Sequence, residues 1–377
     1  MKIVIAGGGT GGHVAPAIAM ADEIAARYGR NSIHFLCGGN ELERKMLGHA
    51  GYDFTALQVS RPRRTLRSKA TTVITTALAV PAARRKLKQF QADVLLCVGG
   101  YASLPGAMAA SLMRLPVFLM ESNAVPGKVT RTLARFARAC FAHMPLTRPL
   151  DCPVEVAGNP VRGAFLAPVP KEDARRALGL DPHLPTLLIM GGSQGAQAIN
   201  DAALAAANEL GTLRQHMQVL HLTGQPDLDK ARSVWQESGL RYRACAFTHN
   251  TATWFSAADL ALTRSGAGTI SELLALAVPM VMVPYPAAAD DHQRANALWV
   301  AAAGAGVLVQ QDALTQARIL ELARGLLLSP QARSAASTAA AQLAQPKAAA
   351  AILDSILVRI GASAPPRSVD SGERAAA

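Results

Sequence analysis

The sequence predicts an α/β protein of two doubly wound, Rossmann-like domains that face one cleft. Short apolar runs rich in β-branched residues alternate with alanine-rich helical stretches, a pattern typical of parallel strands covered by helices on both faces. The same pattern restarts near residue 186, after a proline-marked stretch at residues 144–170. A chain of 377 residues is long enough for two such domains.

In the first half, four strands and two helices can be placed. The strands are expected at "KIVIA", "SIHFLCG", "ADVLLCVGG" and "LPVFLME", and the helices at "APAIAMADEIAARYG" and "LPGAMAASLMR". The first strand feeds directly into the glycine-rich turn "GGGTGGH". In open α/β sheets, such a turn lies at the carboxyl end of a strand, where ligands bind.

The second half begins with "TLLIMGGSQGAQAINDAALAAANEL", which predicts a strand, a glycine turn and a helix. Further strands are expected at "QVLHLTG", "ACAFT", "LALTRSG" and "PMVMVPYP", and a helix over residues 333–359. We therefore predict an N-terminal domain at residues 1–160 and a C-terminal domain at 161–345. A C-terminal helix is expected at 346–360, followed by a disordered tail at 361–377 because that stretch is small, polar and proline-containing.

Composition excludes several classes of protein. The five cysteines include no CxxC pair, which indicates buried thiols in a reducing compartment, and we expect neither a metal site nor a cofactor. The N-terminal apolar run is too short for a signal peptide, and no run of about 18 apolar residues predicts a transmembrane helix. The protein is expected to be cytoplasmic, or cytoplasmic with visits to a membrane.

Positive charge is concentrated in the N-terminal half of a chain whose formal net charge is +12. Residues 54–92 contain no acid and nine basic residues: Arg61, Arg63, Arg64, Arg67, Lys69, Arg84, Arg85, Lys86 and Lys88. A second acid-free stretch, residues 122–150, carries Lys128, Arg131, Arg135, Arg138 and Arg148. This half should face something anionic.

The apolar segment 71–83 lies between the basic blocks. It is too short to span a bilayer, and it is either a buried core helix or an interfacial helix whose flanking arginines meet anionic lipid. Arg131, Arg135 and Arg138 follow one helical face, which is either a solvated surface or part of the same basic region.

The first glycine turn matches G-x-G-x-x-G, but the second strand ends in "FLCGGN" without the acid that a dinucleotide site requires, and Glu41 lies farther along. The turn either eases packing or admits the charged groups of a substrate. Glycine turns recur at "GGY", "GGSQGA" and "SGAGTISE", which favours the second interpretation. His13, at the start of the helix, is either a packed or capping residue or a general base.

Acidic and polar residues at the later turns also have two interpretations. Ser193 is expected near the N-cap of its helix. Glu272 is either a solvated helix charge or an acceptor for a ribose diol, and His292 is either a helix cap or part of a binding site. A nucleoside triphosphatase is disfavoured because no lysine-containing Walker pattern occurs.

Taken together, these motifs resemble the MurG glycosyltransferases of glycosyltransferase family 28. "GGGTGGHVAPAIAMA", "VGGYAS", "ESNAVPGK", "GNPVR", "GGSQGA", "RSGAGTISE" and "DDHQRANA" occur in the order of that family, over nearly the whole chain to about residue 360. The resemblance implies a GT-B fold and a UDP-N-acetylglucosamine-dependent hexosyltransferase. The enzyme would transfer N-acetylglucosamine to undecaprenyl-pyrophosphoryl-MurNAc-pentapeptide, converting lipid I to lipid II in peptidoglycan synthesis.

The resemblance also implies the site residues. UDP-N-acetylglucosamine would contact Thr10, Gly11, Gly12, Asn123, Arg162, Ser193, Thr248, Ala267, Gly268, Thr269, Glu272, His292 and Gln293. Glu272 would hold the ribose, and Thr248 would lie where backbone recognises the uracil. His292 and Gln293 fall where some members have two glutamines, so Gln293 is the better match. Arg84, Arg85, Lys86 and Lys88 would contact the membrane or the acceptor.

We expect an inverting transfer without a metal, with His13 as the candidate base and helix N-termini stabilising the departing diphosphate. The enzyme would be a peripheral protein on the cytoplasmic face of the inner membrane, with lipid I, anionic lipid and other cell-wall synthesis proteins as partners. Three rivals remain: a nucleotide-sugar 2-epimerase, a dinucleotide-dependent oxidoreductase and an RNA-binding protein. Nucleic acid is disfavoured because aromatic content is 5% and stacking motifs are missing.

Overall fold

The computed structural model describes residues 1–60, 65–192 and 195–362, and the chain divides into two compact units. Unit 1 comprises Met1–Arg162 and the C-terminal segment from residue 345, and unit 2 comprises Gly163–Ala344. The predicted division at residue 160 lies two residues from the observed one. The C-terminal helix, which the sequence analysis set apart from both domains, belongs to unit 1.

Unit 1 is built on an all-parallel sheet, which has seven strands in the described residues. They are β1 Ile3–Ala6, β2 Ile33–Cys37, β3 Phe54–Ala56, β4 Val94–Cys97, β5 Val117–Glu121, β6 Ala139–Ala142 and β7 Val154–Val156. Their order is β3-β2-β1-β4-β5-β6-β7. Ala6 pairs with Cys97, so the turns after β1 and β4 emerge side by side. This is the point where the strand order reverses and where ligands bind in doubly wound sheets.

Helices cover both faces of this sheet: α1 Gly11–Tyr28, α2 Glu41–Ala50, α3 Leu66–Phe90, α4 Ser103–Leu112, α5 Lys128–Ala134 and α16 Ala348–Ile360. Side chains alternate between two cores, as the pleat of a strand requires. Ile3 and Ile5 pack with Ile352 and Ile356 of α16, whereas Val4 packs on the opposite face. The C-terminal helix thus completes a core that begins at residue 3.

Unit 2 repeats the architecture with a six-stranded parallel sheet in the described residues, ordered β10-β9-β8-β11-β12-β13. The strands are β8 Thr186–Met190, β9 Gln218–Leu222, β10 Tyr242–Cys245, β11 Leu260–Thr263, β12 Met280–Met282 and β13 Gly306–Leu308. The helices are α6 Gly163–Leu166, α7 Lys171–Ala177, α8 Gln197–Ala205, α9 Ala207–Gly211, α10 Leu228–Ser238, α11 Thr251–Ser256, α12 Ala267–Ala275, α13 His292–Ala302, α14 Gln316–Leu322 and α15 Pro330–Leu343. Thr263 pairs with Met190, so the turns after β8 and β11 lie together.

The predicted α/β class and the principal strands are confirmed, and two boundaries are wrong. The strand expected at "ACAFT" begins earlier, at Tyr242, and ends at Cys245, which releases residues 246–250 as a loop. The helical stretch expected over 333–359 is broken, because the chain leaves α15 after Leu343 and Pro346 cannot continue it. The second part, α16 Ala348–Ile360, lies within the separate C-terminal helix expected at 346–360. The predicted tail at 361–377 lies outside the described residues from residue 363 on.

The segment 71–83 lies in helix α3, and its burial agrees in part with each of its two predicted roles, a core helix and an interfacial helix. Thr72, Thr76, Ala79 and Ala83 are buried, whereas Val73, Ile74 and Leu78 are 58–74% exposed. The helix therefore packs one face on the unit and presents an apolar opposite face. Within the described residues, no helix is both long enough and apolar enough to cross a bilayer.

Candidate active site

The first glycine turn of unit 1 is locked to the turn after β4. The Gly7 N–H donates to the Leu36 carbonyl at 2.9 Å, and the Gly8 N–H donates to the Gly99 carbonyl at 3.2 Å. A Cβ on Gly100 would lie 2.3 Å from the Gly8 carbonyl oxygen. Only glycine permits this approach of two backbones. The bare turn is therefore required by packing as well as by any ligand.

A buried serine fastens the same two turns. Ser103 is wholly buried at the start of α4, and its Oγ lies 2.9 Å from both the Ala6 and Gly99 carbonyl oxygens. A hydroxyl has one proton to donate, so the two carbonyls share it. This role of Ser103, which lies within the motif "VGGYAS", was not predicted. A serine two residues after a glycine–tyrosine turn was the available signal.

His13 lies in the first turn of α1 beside Gly99. Its Nδ1 is 3.2 Å from Thr10 Oγ1, and its ring is 3.1 Å from the position of a Cβ on Gly99. For Nε2 to accept a proton, Nδ1 must carry the hydrogen and donate it to Thr10. The structure thus brings Thr10, Gly11, Gly12 and His13 together at one edge of the unit 1 sheet.

Asn123 follows β5 at the same edge of the sheet, and a buried carboxylate holds it. Glu121 Oε1 accepts from the Asn123 backbone N–H at 3.0 Å and from its Nδ2 at 3.3 Å. Glu121 Oε2 accepts from the Gly127 N–H at 2.9 Å and from Thr130 Oγ1 at 2.7 Å. Glu121 thereby fixes the loop and the start of α5. Glu121 was not among the predicted site residues, although an acid at the end of an apolar strand is a recognisable signal.

Polar side chains behind Asn123 form a second buried group. Ser122 donates from Oγ to Asn159 Oδ1 at 2.9 Å, and His143 Nδ1 lies 3.2 Å from the Ser122 carbonyl oxygen. Burial lowers the pKa of His143 to about 4, so the ring is neutral near pH 7. Arg162, the last residue of the first segment of unit 1, is half-buried three residues after Asn159.

In unit 2, the turn after β8 is again constrained by close backbone contacts. A Cβ on Gly195 would lie 2.3 Å from the Thr223 carbonyl oxygen, and its φ is +78°. The helix α8 then begins at Gln197, with Ala196 as N-cap, and among the described residues no side chain caps it. The first N–H groups of such a helix have no intrahelical acceptor. Ser193, predicted for this turn, lies outside the described residues.

The turn after β11 leads into α12, which begins with Ala267, Gly268 and Thr269. Gly266 is the N-cap, so no side chain occupies the first N–H groups. Glu272 is half-buried in the second turn of the helix. Ser265 is wholly buried, and within the part of the chain that the structure describes its Oγ has no hydrogen-bond partner. Together these features form a cradle with donors for an anion.

The loop after β12 is held by Arg264. Its guanidinium donates to the Val283 and Pro284 carbonyls at 3.2 and 3.1 Å and lies over the Tyr285 ring, 5.4 Å from its centroid. Gln293 Oε1 accepts from the Tyr285 N–H at 2.9 Å, which leaves its amide N–H groups as the donors for other partners. The loop is thus tied down from both sides.

His292 closes the turn that precedes Gln293. Its Nδ1 lies 2.8 Å from the Ala289 carbonyl oxygen, and Asp290 and Asp291 have positive φ values of 50° and 53°. Left-handed backbone is costly for residues other than glycine, although aspartate and asparagine tolerate it best. His292 therefore helps to hold this turn through Ala289, and its predicted contact with the donor stays a prediction.

Thr248 lies in the loop released after β10. Its Oγ1 accepts from the Asn250 N–H at 3.1 Å, and its neighbour Phe247 is 51% exposed and meets His249 edge to face. The predicted unit 2 residues that the structure describes therefore lie at the carboxyl edge of one sheet, after β10, β11 and β12. The basic residues Arg84, Arg85 and Lys88 are exposed at the C-terminal end of α3, and Lys86 is half-buried.

Comparison with protein families gives two matches. The glycosyltransferase family 28 N-terminal domain matches residues 3–142, and the glycosyltransferase family 28 C-terminal domain matches residues 186–352. These ranges cover the sheets of units 1 and 2 except for the strand β7.

Curated relatives match nearly the full length. Proteins of Anaeromyxobacter sp. (strain Fw109-5) and Geobacter sulfurreducens are each 35% identical to the chain. The matches cover 94% and 95% of this chain and 92% and 98% of those proteins. Both relatives are named UDP-N-acetylglucosamine--N-acetylmuramyl-(pentapeptide) pyrophosphoryl-undecaprenol N-acetylglucosamine transferase.

Solved structures show the same fold. MurG of Acinetobacter baumannii superposes with a TM-score of 0.76 at 28% identity, covering 95% of this chain and 99% of that one. A UDP-GlcNAc 2-epimerase of Neisseria meningitidis, solved with UDP-GlcNAc bound, has a TM-score of 0.64 at 18% identity and covers 95% and 100%. At that identity the epimerase shares the fold alone.

Proposed function

The chain belongs to glycosyltransferase family 28, and we infer that it transfers N-acetylglucosamine from UDP-N-acetylglucosamine to undecaprenyl-pyrophosphoryl-MurNAc-pentapeptide. The observation that carries this inference is the 35% identity over 94% of the chain to relatives with that one transferase name. The enzyme converts lipid I to lipid II in peptidoglycan synthesis. This extent of identity separates it from the epimerases, which share only the fold.

Unit 2 is proposed to hold the donor. The uncapped start of α12 and the buried Ser265 hydroxyl supply hydrogen-bond donors for the diphosphate, and Glu272 accepts from the ribose diol. Gln293 contributes its amide N–H groups and the loop at Thr248 contacts the uracil. His292 shapes the turn before Gln293 through its bond to Ala289.

Unit 1 is proposed to bind the acceptor. The hydroxyl oxygen of the muramyl sugar attacks the anomeric carbon, the bond from that carbon to the diphosphate oxygen breaks, and UDP departs. His13 Nε2 takes the hydroxyl proton while Thr10 receives the hydrogen bond from Nδ1. Attack opposite the leaving group inverts the configuration at the anomeric carbon.

Negative charge grows on the departing diphosphate, so preorganised donors lower the barrier. Loss of one such donor from an enzyme site commonly costs about 3 to 4 kcal/mol. The starts of α8 and α12 provide N–H groups that need no reorganisation during the reaction. Asn123, held by Glu121, and Arg162 are proposed as further donor contacts.

We further propose that α3 places the enzyme on the cytoplasmic face of the inner membrane as a peripheral protein. Its exposed face carries Val73, Ile74 and Leu78, followed by the exposed Arg84 and Arg85. An apolar face beside basic side chains suits the boundary between headgroups and acyl chains.

A transfer assay with radiolabelled UDP-N-acetylglucosamine tests the reaction. With a short-chain lipid I acceptor, label should move to the acceptor and UDP should be released in equal amount; without acceptor, neither should occur. Conversion of the nucleotide sugar to its 2-epimer without acceptor, or the absence of any transfer to the muramyl lipid, would overturn the proposal.

A further inference from the structure

Glu43 is a buried carboxylate that no part of the proposed mechanism uses. It is the third residue of α2, and it is wholly buried although its helix neighbours Glu41, Leu42, Arg44 and Lys45 are exposed. Burying a charge is costly unless it is fully hydrogen-bonded. Capping of α2 does not by itself require this burial, because a capping-box glutamate can make the same bond at the surface.

The two oxygens of Glu43 accept from two different segments. Oε2 accepts from the Asn40 N–H at 2.8 Å, and Asn40 Oδ1 accepts from the Glu43 N–H at 2.9 Å, which is a capping box. Oε1 accepts from the Gly9 N–H at 2.5 Å. The second bond is not part of a capping box, because Gly9 belongs to the turn between β1 and α1.

The glycine turn is built around this carboxylate. A Cβ on Gly8 would lie 2.2 Å from Glu43 Oε1, and one on Gly38 would lie 3.4 Å from Oε2. Gly8 has a φ of +136°, which side chains rarely adopt. Any other residue at position 8 would therefore displace either the backbone or the carboxylate.

Three consecutive N–H groups of the turn are thus committed to the protein: Gly7 to Leu36, Gly8 to Gly99 and Gly9 to Glu43. The N–H groups left for a bound diphosphate are those that follow, at the start of α1, next to His13. Glu43 therefore determines where the turn ends and where the helix can begin to present donors.

We propose that Glu43 is a positioning residue that fixes the first glycine turn so that the start of α1 can bind the acceptor diphosphate. The proposal rests on the transferase function inferred above. It acts through Gly9, without contact to substrate. Removal of the carboxylate should loosen the turn and weaken acceptor binding much more than donor binding, because most of the proposed donor contacts lie in unit 2 and are not changed.

The test compares four variants. Glu43→Leu removes both acceptor oxygens at similar volume, and Glu43→Gln keeps one. Asn40→Ala weakens the cap of α2 without touching Gly9, and Glu41→Gln makes the same substitution at an exposed position of the same helix. The readouts are the KM for a short-chain lipid I acceptor, the Kd for UDP, the melting temperature and backbone hydrogen exchange in the peptide spanning residues 3–14.

Glu43→Leu should raise the acceptor KM at least 10-fold and Glu43→Gln at least 3-fold, each with faster exchange in that peptide and a Kd for UDP within 2-fold of wild type. Asn40→Ala should lower the melting temperature but keep the acceptor KM and the exchange, and Glu41→Gln should change nothing. Should Glu43→Leu fail to fold, Glu43→Gln decides.

The proposal would be overturned if both Glu43 variants kept the wild-type hydrogen exchange in that peptide and the wild-type acceptor KM. It would also be overturned if Asn40→Ala raised the acceptor KM as much as the Glu43 variants do. A wild-type enzyme without transfer would instead overturn the proposed function, and the exchange data would still show whether Glu43 holds the turn.

Discussion

Trp235 donates its indole N–H to Nδ1 of His221 over 3.0 Å, and the two rings meet edge to face with their centroids 6.0 Å apart. Because Nδ1 accepts, the neutral ring carries its hydrogen on Nε2, which lies 3.1 Å from Asn200 Oδ1 and donates to it. Asn200 in turn donates to the Thr223 carbonyl and to Asp227. This chain of bonds ties β9 and α10 to α8, directly behind the glycine turn 191–196.

Unit 2 should lose stability as the pH falls from about 6.5 towards 3. Burial lowers the pKa of His221 to about 3, whereas an unfolded histidine titrates near 6.5. The unfolded chain therefore binds one more proton in this window, and the free energy of unfolding falls by roughly 1.4 kcal/mol per pH unit. Above pH 6.5 this contribution is complete. Urea unfolding followed by tryptophan fluorescence measures it, because Trp235, Trp254 and Trp299 all lie in unit 2.

Two histidine variants distinguish the contribution of His221 to this pH dependence from that of the other titrating groups. His221→Gln keeps an acceptor and a donor but cannot be protonated in this pH range. The slope of the unfolding free energy against pH should therefore fall by the equivalent of one proton. His216→Gln, at an exposed position of the same unit, should retain the wild-type slope. The same slope of the unfolding free energy against pH in wild type and both variants would show that folding does not lower the pKa of His221.

Ala277→Gly should stabilise unit 2. Ala277 follows α12 with a φ of +53°, in the left-handed region that favours glycine after a helix. Relief of this strain should raise the free energy of unfolding by about 1 kcal/mol. Ala303, which follows α13, has a φ of −84°, so Ala303→Gly should destabilise by roughly 0.5–1 kcal/mol. Urea unfolding measures the change in unfolding free energy in both variants. A loss of stability in Ala277→Gly would show that the positive φ at Ala277 is not strained.

The sequence was sufficient for the elements whose signals are local. Continuous apolar strands and glycine turns predicted β1, β4, β5, β8 and β11, and the family motifs followed the turns after them. The short strands β3, β6, β7 and β13 were not predicted. Val154–Val156 has three residues, two of them exposed, so it has no apolar run to mark it, and it is a strand only because β6 lies beside it.

Buried carboxylates were missed for a different reason. Glu43 resembles its exposed neighbour Glu41 in the sequence, and nothing local shows that its oxygen meets Gly9, which is 34 residues away. Glu121 follows an apolar strand, but its acceptor role depends on a loop that returns to it at Gly127 and Thr130. Hydrogen bonds between residues so far apart in the sequence have no local sequence pattern from which they could be predicted.

Glu272→Ala should weaken donor binding more than it slows the bound-state reaction, because the ribose contact is the same in ground and transition states. A hydrogen bond to a charged group contributes about 1.5–3 kcal/mol, so the Kd for UDP should rise roughly 10- to 150-fold. Calorimetric titration with UDP measures this, and Glu237→Ala, on the exposed face of α10, is the control.

A nucleotide that lacks the ribose 2′-hydroxyl tests directly whether Glu272 binds the ribose. If its carboxylate holds the ribose diol, 2′-deoxy-UDP should bind wild type weakly and bind Glu272→Ala no more weakly than UDP does. A large fall in kcat with an unchanged KM for the donor would instead assign Glu272 a role in the transition state.

His13→Ala should lower kcat by about 100-fold or more, since general base catalysis commonly contributes that much. The acid limb of kcat against pH should disappear with it, because an imidazole base is lost as the medium becomes acidic. Thr10→Val removes the acceptor for Nδ1–H and should lower kcat less, by roughly 10-fold, while keeping the limb. A His13→Ala enzyme that keeps both the limb and most of its activity would make His13 a positional residue only.

Replacing Arg84, Arg85, Lys86 and Lys88 by glutamine should weaken binding to vesicles that contain anionic lipid. These residues follow the exposed apolar face of α3, so they would lie at headgroup depth when that face is inserted. A basic side chain near such a surface contributes about 1 kcal/mol, so loss of four should reduce binding at least 10-fold at low salt. Wild-type binding should itself weaken as salt rises.

Activity on two acceptors decides whether those charges serve the membrane. Turnover of a membrane-embedded acceptor should fall with vesicle binding, whereas turnover of a water-soluble acceptor analogue should change less than 2-fold. A control that removes four exposed charges from unit 2, Lys230, Arg232, Arg241 and Arg243 to glutamine, lowers the net charge equally and should leave vesicle binding intact. Equal losses on both acceptors would mean that the basic end of α3 serves the fold or the acceptor diphosphate, because a docking surface has no effect on a substrate already in solution.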